Sequence, residues 1–538
     1  MNEFDAVVVG AGIAGCQMAR DLAAGGLRVA VLEAGPQRTT AEIIADDGRP
    51  TTGADRRRFA HEGQHIQARN ILLAAHNRRF YVDDRRHPYR ADRPFLWFRG
   101  RQVGGRSILW SRACLRMSAR QFLPHPGTND WENWPFGPAE LDPYYDRVER
   151  ELGVTGEPAG IEAIPDGAFR APPPTTRLVK EILDRLREAA PAMRATPART
   201  AMLERSTMPA TLRTAMSLGV DVFPDSPVRR IVVEPGTRRA VGVEVTASDG
   251  TARLIRCQTV VLCASTIETV RILWQSQSAA HPQGLGNHSD CLGRGIQDHL
   301  AVNCAGSFAR DLRTLDHRSL GDPLDPWREE PAQVLIWGRE GGPSLSPSST
   351  GTREIDCLAS CLLVPHTSRW SLLVLGASRA LPAHRITVER RPGHAEATMP
   401  RIAHERTADD DARLAALGLF ARRVVRAGRL GPIGFSRTQQ LVHLVAPQLA
   451  MARCRRAPGA VIHETGGARM GVDPADSVVD PWGRCWDTDN VYVADGSVFP
   501  SSGFQNPTLT ILALAARTAE HVLHTHGSGD GTARRPFP

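Results

Sequence analysis

Apolar positions along the chain fall into short runs whose period switches between two and about 3.6, the mark of alternating strands and helices. Residues 5–9 form a compact apolar run and read as a strand. From 13 to 24 apolar residues recur at helical spacing, Gly25-Gly26 stops the pattern, and a second apolar run, 28–32, ends on Glu33. Further strands are predicted at 220–222, 228–233, 240–245, 254–262 and 490–494, and helices at 177–189, 206–218, 265–276 and 508–523. Between 303 and 456 the β-like runs 333–337, 371–375 and 385–389 precede a helix over 409–427, with no internal repeat. By contrast 36–94 is polar, arginine-rich and poorly periodic. It reads as a long loop with a helix starting near 64–70, and loops of that length are often lids or active-site walls.

Chemistry-bearing residues sit at the seams of this pattern. Gly10-x-Gly12-x-x-Gly15 lies between the first strand and helix. There the glycines permit a tight turn, a close approach of pyrophosphate to backbone, and close helix–strand packing, while Glu33 can accept hydrogen bonds from ribose hydroxyls. The motif points to a dinucleotide without separating FAD from NAD. A second stretch, Trp97-Phe98-Arg99-Gly100-Arg101-Gln102-Val103-Gly104-Gly105-Arg106-Ser107-Ile108-Leu109-Trp110, has adjacent glycines suited to wrapping a flat ring or a phosphate. Near the carboxyl end come His463-Glu464-Thr465-Gly466-Gly467-Ala468-Arg469-Met470-Gly471, then Asp495-Gly496, then Asn506-Pro507-Thr508. Pro507 suits the first turn of a helix, whose free N–H groups would face a ligand. His463 and Asn506 are groups that a hydroxyl-oxidising site could use as base and hydrogen-bond donor.

Together these motifs resemble the glucose–methanol–choline (GMC) oxidoreductases, FAD enzymes that oxidise alcohols. The likeness extends over the whole chain and is weakest through 36–94 and 303–456. The W-x-R-x-R-x-x-G-G-R-S-x-x-W pattern, Trp134-Pro135-Phe136, Leu141-Asp142-Pro143-Tyr144-Tyr145-Asp146 and Gln297-Asp298-His299 are similar to the carbohydrate-oxidising branches. The resemblance implies an α/β chain, α+β overall, with a Rossmann-like FAD-binding domain over 1–160, 205–302 and 457–526. It further implies a linker and helix over 161–204, and a discontinuous substrate domain on an antiparallel sheet over 303–456. It makes His463 the base and Asn506 a hydrogen-bond donor to the substrate oxygen. It carries cofactor contacts to Gly10, Gly12, Ala14, Gly15, Glu33, Ala34, Arg101, Gly104, Gly105, Ser107, Val228, Ala264, Asp495, Gly496, Asn506 and Thr508, with Val228 near the adenine. Several relatives bond the flavin to a histidine where Ile108 or Leu109 stands here, so non-covalent FAD is expected. His299 is expected to be structural, marking the crossover into the substrate domain. The implied substrate is a sugar, aminosugar or cyclitol, with an aminoglycoside-type intermediate as the specific expectation, and the acceptor is dioxygen or unknown. The alternatives are a non-redox FAD lyase of the same fold and an NAD-linked enzyme.

Composition changes this picture little. The net charge is +8, carried by dispersed arginines with Lys180 the single lysine, and no basic helix or aromatic-interleaved strand suggests nucleic acid. An amino-sugar substrate would then call for local acidic residues, with Glu62 and Glu464 the candidates. The ten cysteines lack C-x-x-C spacing, so neither metal nor disulfide is expected. No apolar stretch reaches the about 18 residues of a membrane span, and no signal segment precedes residue 5. A cytoplasmic protein without membrane contact is expected. A disordered tail is expected over 527–538.

Overall fold

Strand β1 (Phe4–Val9) is apolar on both sides because both faces are covered: Val7 and Val9 enter one core, Ala6 and Val8 another. The computed structural model describes residues 3–39, 42, 51–123, 130–172, 175–202, 210–246, 250–315, 332–343, 352–363, 368–391 and 398–527. β1 pairs in parallel with β2 (Val29–Leu32) and with the far half of β8 (Ala252–Leu262). β2 is flanked by β5 (Asp221–Phe223), and β8 by β15 (Val491–Val493), both parallel. The near half of β8 instead pairs antiparallel with β7 (Ala240–Thr246), which carries β6 (Val228–Val233). Helices Ile13–Ala24, Ala210–Ser217 and Thr508–Gly527 pack together on one face. The predicted Rossmann-like unit is therefore present, and its ligand edge is the carboxyl end of β1, β2, β8 and β15.

The second sheet is antiparallel, in the order β4 (Arg194–Pro197), β10 (Ala332–Pro343), β11 (Thr352–Leu363), β12 (Arg369–Gly376) and β9 (Leu300–Ser307). Leu178, Ile182 and Leu186 of helix Arg177–Ala189 share a core with Val334, Trp370 and Phe420. The stretch 161–204, expected as linker and helix, thus supplies both a helix and an edge strand to the second unit. β4 reads as polar because its pairing with β10 is long-range and leaves most of it half-exposed. A hairpin of β13 (Arg385–Arg390) and β14 (Thr398–Ala403), extended by β3 (Arg90–Ala91), works the other way: Ile386 and Ile402 lie in the core of the first unit.

The stretch 36–94 is more ordered than a loop. Helix Gly53–Phe59 opens on a Thr52/Asp55 capping box, and Phe59, Ala68, Leu73 and Tyr81 form a small cluster on which Leu109 packs. Residues 40–41 and 43–50 of this stretch, 206–209 of the predicted helix 206–218, and the tail from 528 lie outside the described residues. Among the described residues no helix is long and apolar enough to cross a membrane, and no cluster of metal-ligating side chains occurs.

Candidate active site

The Gly10–Gly15 turn closes the end of β1. Gly10 has φ 102°, and a Cβ there would come 2.5 Å from the carbonyl oxygen of Cys263, so only glycine lets the turn lie against β8 and Ala264. Ala14 is buried in the first turn of the helix that follows. Glu33 ends β2 with its carboxylate accepting from Ala11 N at 3.0 Å and Gly35 N at 2.9 Å. Burial pushes it up to about 7, against those backbone bonds and Arg101. Ser226 N donates to Glu33 O at 2.8 Å and Asp225 N to Gly35 O, which brings the turn before Val228 alongside Glu33 and Ala34.

The second glycine pair lands on the first motif. Gly104 N donates to Ala11 O at 2.9 Å, and Ser107 Oγ donates to Gly104 O at 2.6 Å. Above Gly12 the described residues leave open space: a Cβ there would meet nothing within 4 Å. Asp495 follows β15, and its carboxylate is occupied by Ser497 N, Ser497 Oγ and Thr269 Oγ1 at 2.9, 2.6 and 2.6 Å. Gly496 O accepts from Gly466 N at 2.9 Å, which ties this turn to the His463 loop. Thr508 opens the last helix.

His463 and Asn506, distant by 43 residues in sequence, meet here: Asn506 Nδ2 lies 3.2 Å from His463 Nε2. Both keep partial exposure, whereas 464–470 and 502–505 are buried. His463 Nδ1 is 2.9 Å from His299 Nδ1, with the rings edge to face. With the Asn506 amide donating to Nε2, the proton of His463 belongs on Nδ1 and goes to His299, which leaves the Nε2 lone pair toward Asn506. Burial, with His299 and Arg106 nearby, holds the His463 imidazole well below its ordinary range. His299 is pushed down to about 4, chiefly by burial. His463 is therefore neutral at neutral pH. With His463 as a base, the expected kcat/KM profile stays flat from neutral pH downward and declines only as pH falls through a value below the ordinary histidine pKa of about 6.5. An acid limb at or above that value would count against a neutral buried base.

Three residues around His463 were not assigned to the site from sequence. Arg106 binds Glu464 Oε2 at 2.6 Å and Ser265 Oγ at 2.9 Å, with Ile462 O at 3.5 Å, and so joins the glycine–serine turn to the His463 loop. Asp298 Oδ1 accepts from His463 N at 3.2 Å, and burial beside Glu464 pushes its carboxyl up to about 7. His299, expected to mark a crossover, touches the imidazole of His463 directly. Ile462 has φ 67°, a strained setting for a β-branched residue, immediately before His463. The acidic candidates for an amino group both have arginine partners: Glu464 pairs with Arg106, and Glu62 pairs with Arg78 on an exposed surface.

Comparison with known families decides the identity. The amino-terminal GMC oxidoreductase family matches residues 4–301 and the carboxy-terminal one residues 385–515, together more than half of the chain. The chain is a GMC oxidoreductase. It is 26% identical to the fructose dehydrogenase large subunit of Gluconobacter japonicus, over 97% of this chain and 98% of that one. It is 28% identical to paromamine 6'-oxidase of Streptomyces fradiae, over 78% of each. Its fold is similar to that of formate oxidase from Aspergillus oryzae, with a TM-score of 0.65 and 16% identity over 98% of this chain and 99% of that chain. This GMC oxidoreductase is an FAD-dependent enzyme acting on the CH–OH group of alcohols. The open approach to Gly12 beside Gly104 and Gly105 fits a dinucleotide against the backbone. Ile108 and Leu109 carry no nucleophile, in keeping with FAD held without a covalent bond.

Proposed function

We propose that His463 is the base of a polyol oxidation and that Asn506 binds the reacting oxygen. What carries this reading is the 3.2 Å meeting of His463 Nε2 and Asn506 Nδ2, both partly exposed within a buried frame. A substrate hydroxyl entering between them gives its proton to Nε2 and accepts from the Asn506 amide, which steadies the negative charge growing on oxygen. His299 holds Nδ1–H and thereby keeps the free lone pair on Nε2. FAD, when bound, supplies the hydride acceptor that no side chain can provide. Gly10, Gly12, Ala14 and Gly15 would line its pyrophosphate. Glu33, Ala34, Arg101 and Val228 would line its adenosine half, and Gly104, Gly105, Ser107, Ala264, Asp495, Gly496, Asn506 and Thr508 the remainder. Residues 303–456, with 177–197 added, would shape the substrate side.

The substrate class is a sugar, aminosugar or cyclitol, and an aminoglycoside-type intermediate is the specific candidate. The sugar- and aminosugar-oxidising names of the relatives support it, as does the full-length match to the fructose enzyme. Steady-state turnover with dioxygen and with a dye acceptor should give kcat/KM at least about tenfold higher for a sugar, aminosugar or cyclitol than for choline or an aryl alcohol. Preference for an aryl alcohol or choline would sink the substrate assignment while leaving the base in place.

A further inference from the structure

Away from the active site, the chain from the second turn of the long helix Ala408–Ala427 to His463 has an unusual makeup. From 412 to 463 it contains nine arginines and not one aspartate or glutamate. Within it, helix Arg437–Val445 buries no residue and packs mainly on the short helix Pro447–Ala452. Leu441, Leu444 and Val445, at spacing that puts them on one face, are 55%, 77% and 69% exposed, and Phe435 and Leu449 flank them at 53% and 57%. Arg413, Arg423 and Arg455 pair with Asp409, Glu340 and Asp411. Among the described residues Arg426, Arg429, Arg437 and Arg453 have no carboxylate partner, and all four are exposed.

We propose that this face docks in the plane of an anionic lipid bilayer, with Leu441, Leu444, Val445 and Leu449 entering the boundary between headgroups and acyl chains and the arginines contacting lipid phosphates. Charge decides between occupants. A second copy meeting the same face across a twofold axis would oppose the exposed Arg437 and Arg453, which have no carboxylate partner among the described residues, to their own counterparts. A specific protein partner would be expected to find aromatic anchors, and here the exposed apolar residues are aliphatic apart from Phe435. Aliphatic side chains with Arg437 four residues before Leu441 and Arg453 four residues after Leu449, neither with a carboxylate partner among the described residues, match what an anionic lipid surface attracts. The contact is peripheral and needs no membrane-spanning helix, although the sequence had suggested none at all. The docked helices would not be isolated from the catalytic loops. Asn303 N donates to Cys454 O and Arg456 N to Ala301 O, both at 2.8 Å, so the end of this segment is laced to β9 just beyond His299.

The test is flotation of the full, FAD-loaded protein with vesicles of phosphatidylcholine alone and of phosphatidylcholine mixed with phosphatidylglycerol. The protein should float with the mixed vesicles and stay behind with the neutral ones. Arg437→Gln with Arg453→Gln should weaken binding by about twenty-five-fold, at about fivefold per arginine. Leu444→Glu with Val445→Gln should weaken it by about tenfold or more. Flavin content and turnover with a soluble acceptor should be unchanged in both variants, which shows that they are folded. No binding, equal binding to both vesicle types, or binding indifferent to the substitutions overturns the proposal. So does a dimer, seen by light scattering, that the same substitutions dissociate. None of these readouts depends on which residue is the base, so failure here leaves the active-site reading untouched.

Discussion

Replacing His463 by alanine should lower the rate of flavin reduction by about a thousandfold, within the about hundredfold to ten-thousandfold range of a lost general base. The reason lies in the local wiring. Nδ1 is engaged by His299, the ring is neutral, and Nε2 is the nitrogen left facing Asn506. The protein should remain yellow, because the Gly10–Gly15 and Gly104–Gly105 turns do not depend on this side chain. Stopped-flow absorbance under anaerobic conditions checks the rate, and the visible spectrum checks retention of FAD. A loss of less than about tenfold would mean that proton removal is not assigned to His463.

Gly15→Ala should have the second large effect, on cofactor binding. A Cβ at this position would stand 1.9 Å from the carbonyl oxygen of Gly10 and 3.3 Å from Cys263 Cβ. Backbone, unlike the end of a long side chain, has little room to yield, so helix Ile13–Ala24 must move off β1 and take Gly12 with it. Overpacking of this kind costs about 1–3 kcal/mol or more, and FAD affinity should fall about tenfold to a hundredfold. Fluorescence of released flavin on dilution measures it. Unchanged affinity would show that the turn does not carry the pyrophosphate.

The parts of the fold that could be read from sequence are those built from local pattern. β1, β2, the carboxyl half of β8 and β15 are short apolar runs because both faces of their sheet are covered; helix 408–427 shows its buried face at helical spacing, and helices 13–24 and 508–527, buried on nearly all sides, read as long apolar stretches without a breaker. The stretch 36–94 resisted because polar side chains hold it. Gln64 Nε2 donates to Arg78 O and Tyr81 O, Gln67 Nε2 to Asp84 and Trp97 O, and Arg56 to Ala68 O and Leu73 O. Such bonds leave no hydrophobic period to find. The site divides the same way. His463 and Asn506 could be named because they lie in recognisable motifs, whereas the contact of His463 with His299 spans 164 residues and that of Arg106 with Glu464 spans 358. Residue spacing carries no sign of such pairs. The Gln297-Asp298-His299 motif was the available hint to the first of these pairs.

On this mechanism the chain moves a hydride from an alcohol carbon to FAD while His463 takes the hydroxyl proton. The measurement that tests it most directly is anaerobic mixing of the purified FAD-loaded protein with a panel of sugars, aminosugars, cyclitols, choline and aryl alcohols, following the visible flavin absorbance. Bleaching by a sugar, aminosugar or cyclitol, slowed by about a hundredfold or more in His463→Ala, is the predicted result. An oxidised spectrum that persists while a substrate of the panel is consumed would contradict it and leave an FAD-containing lyase in its place.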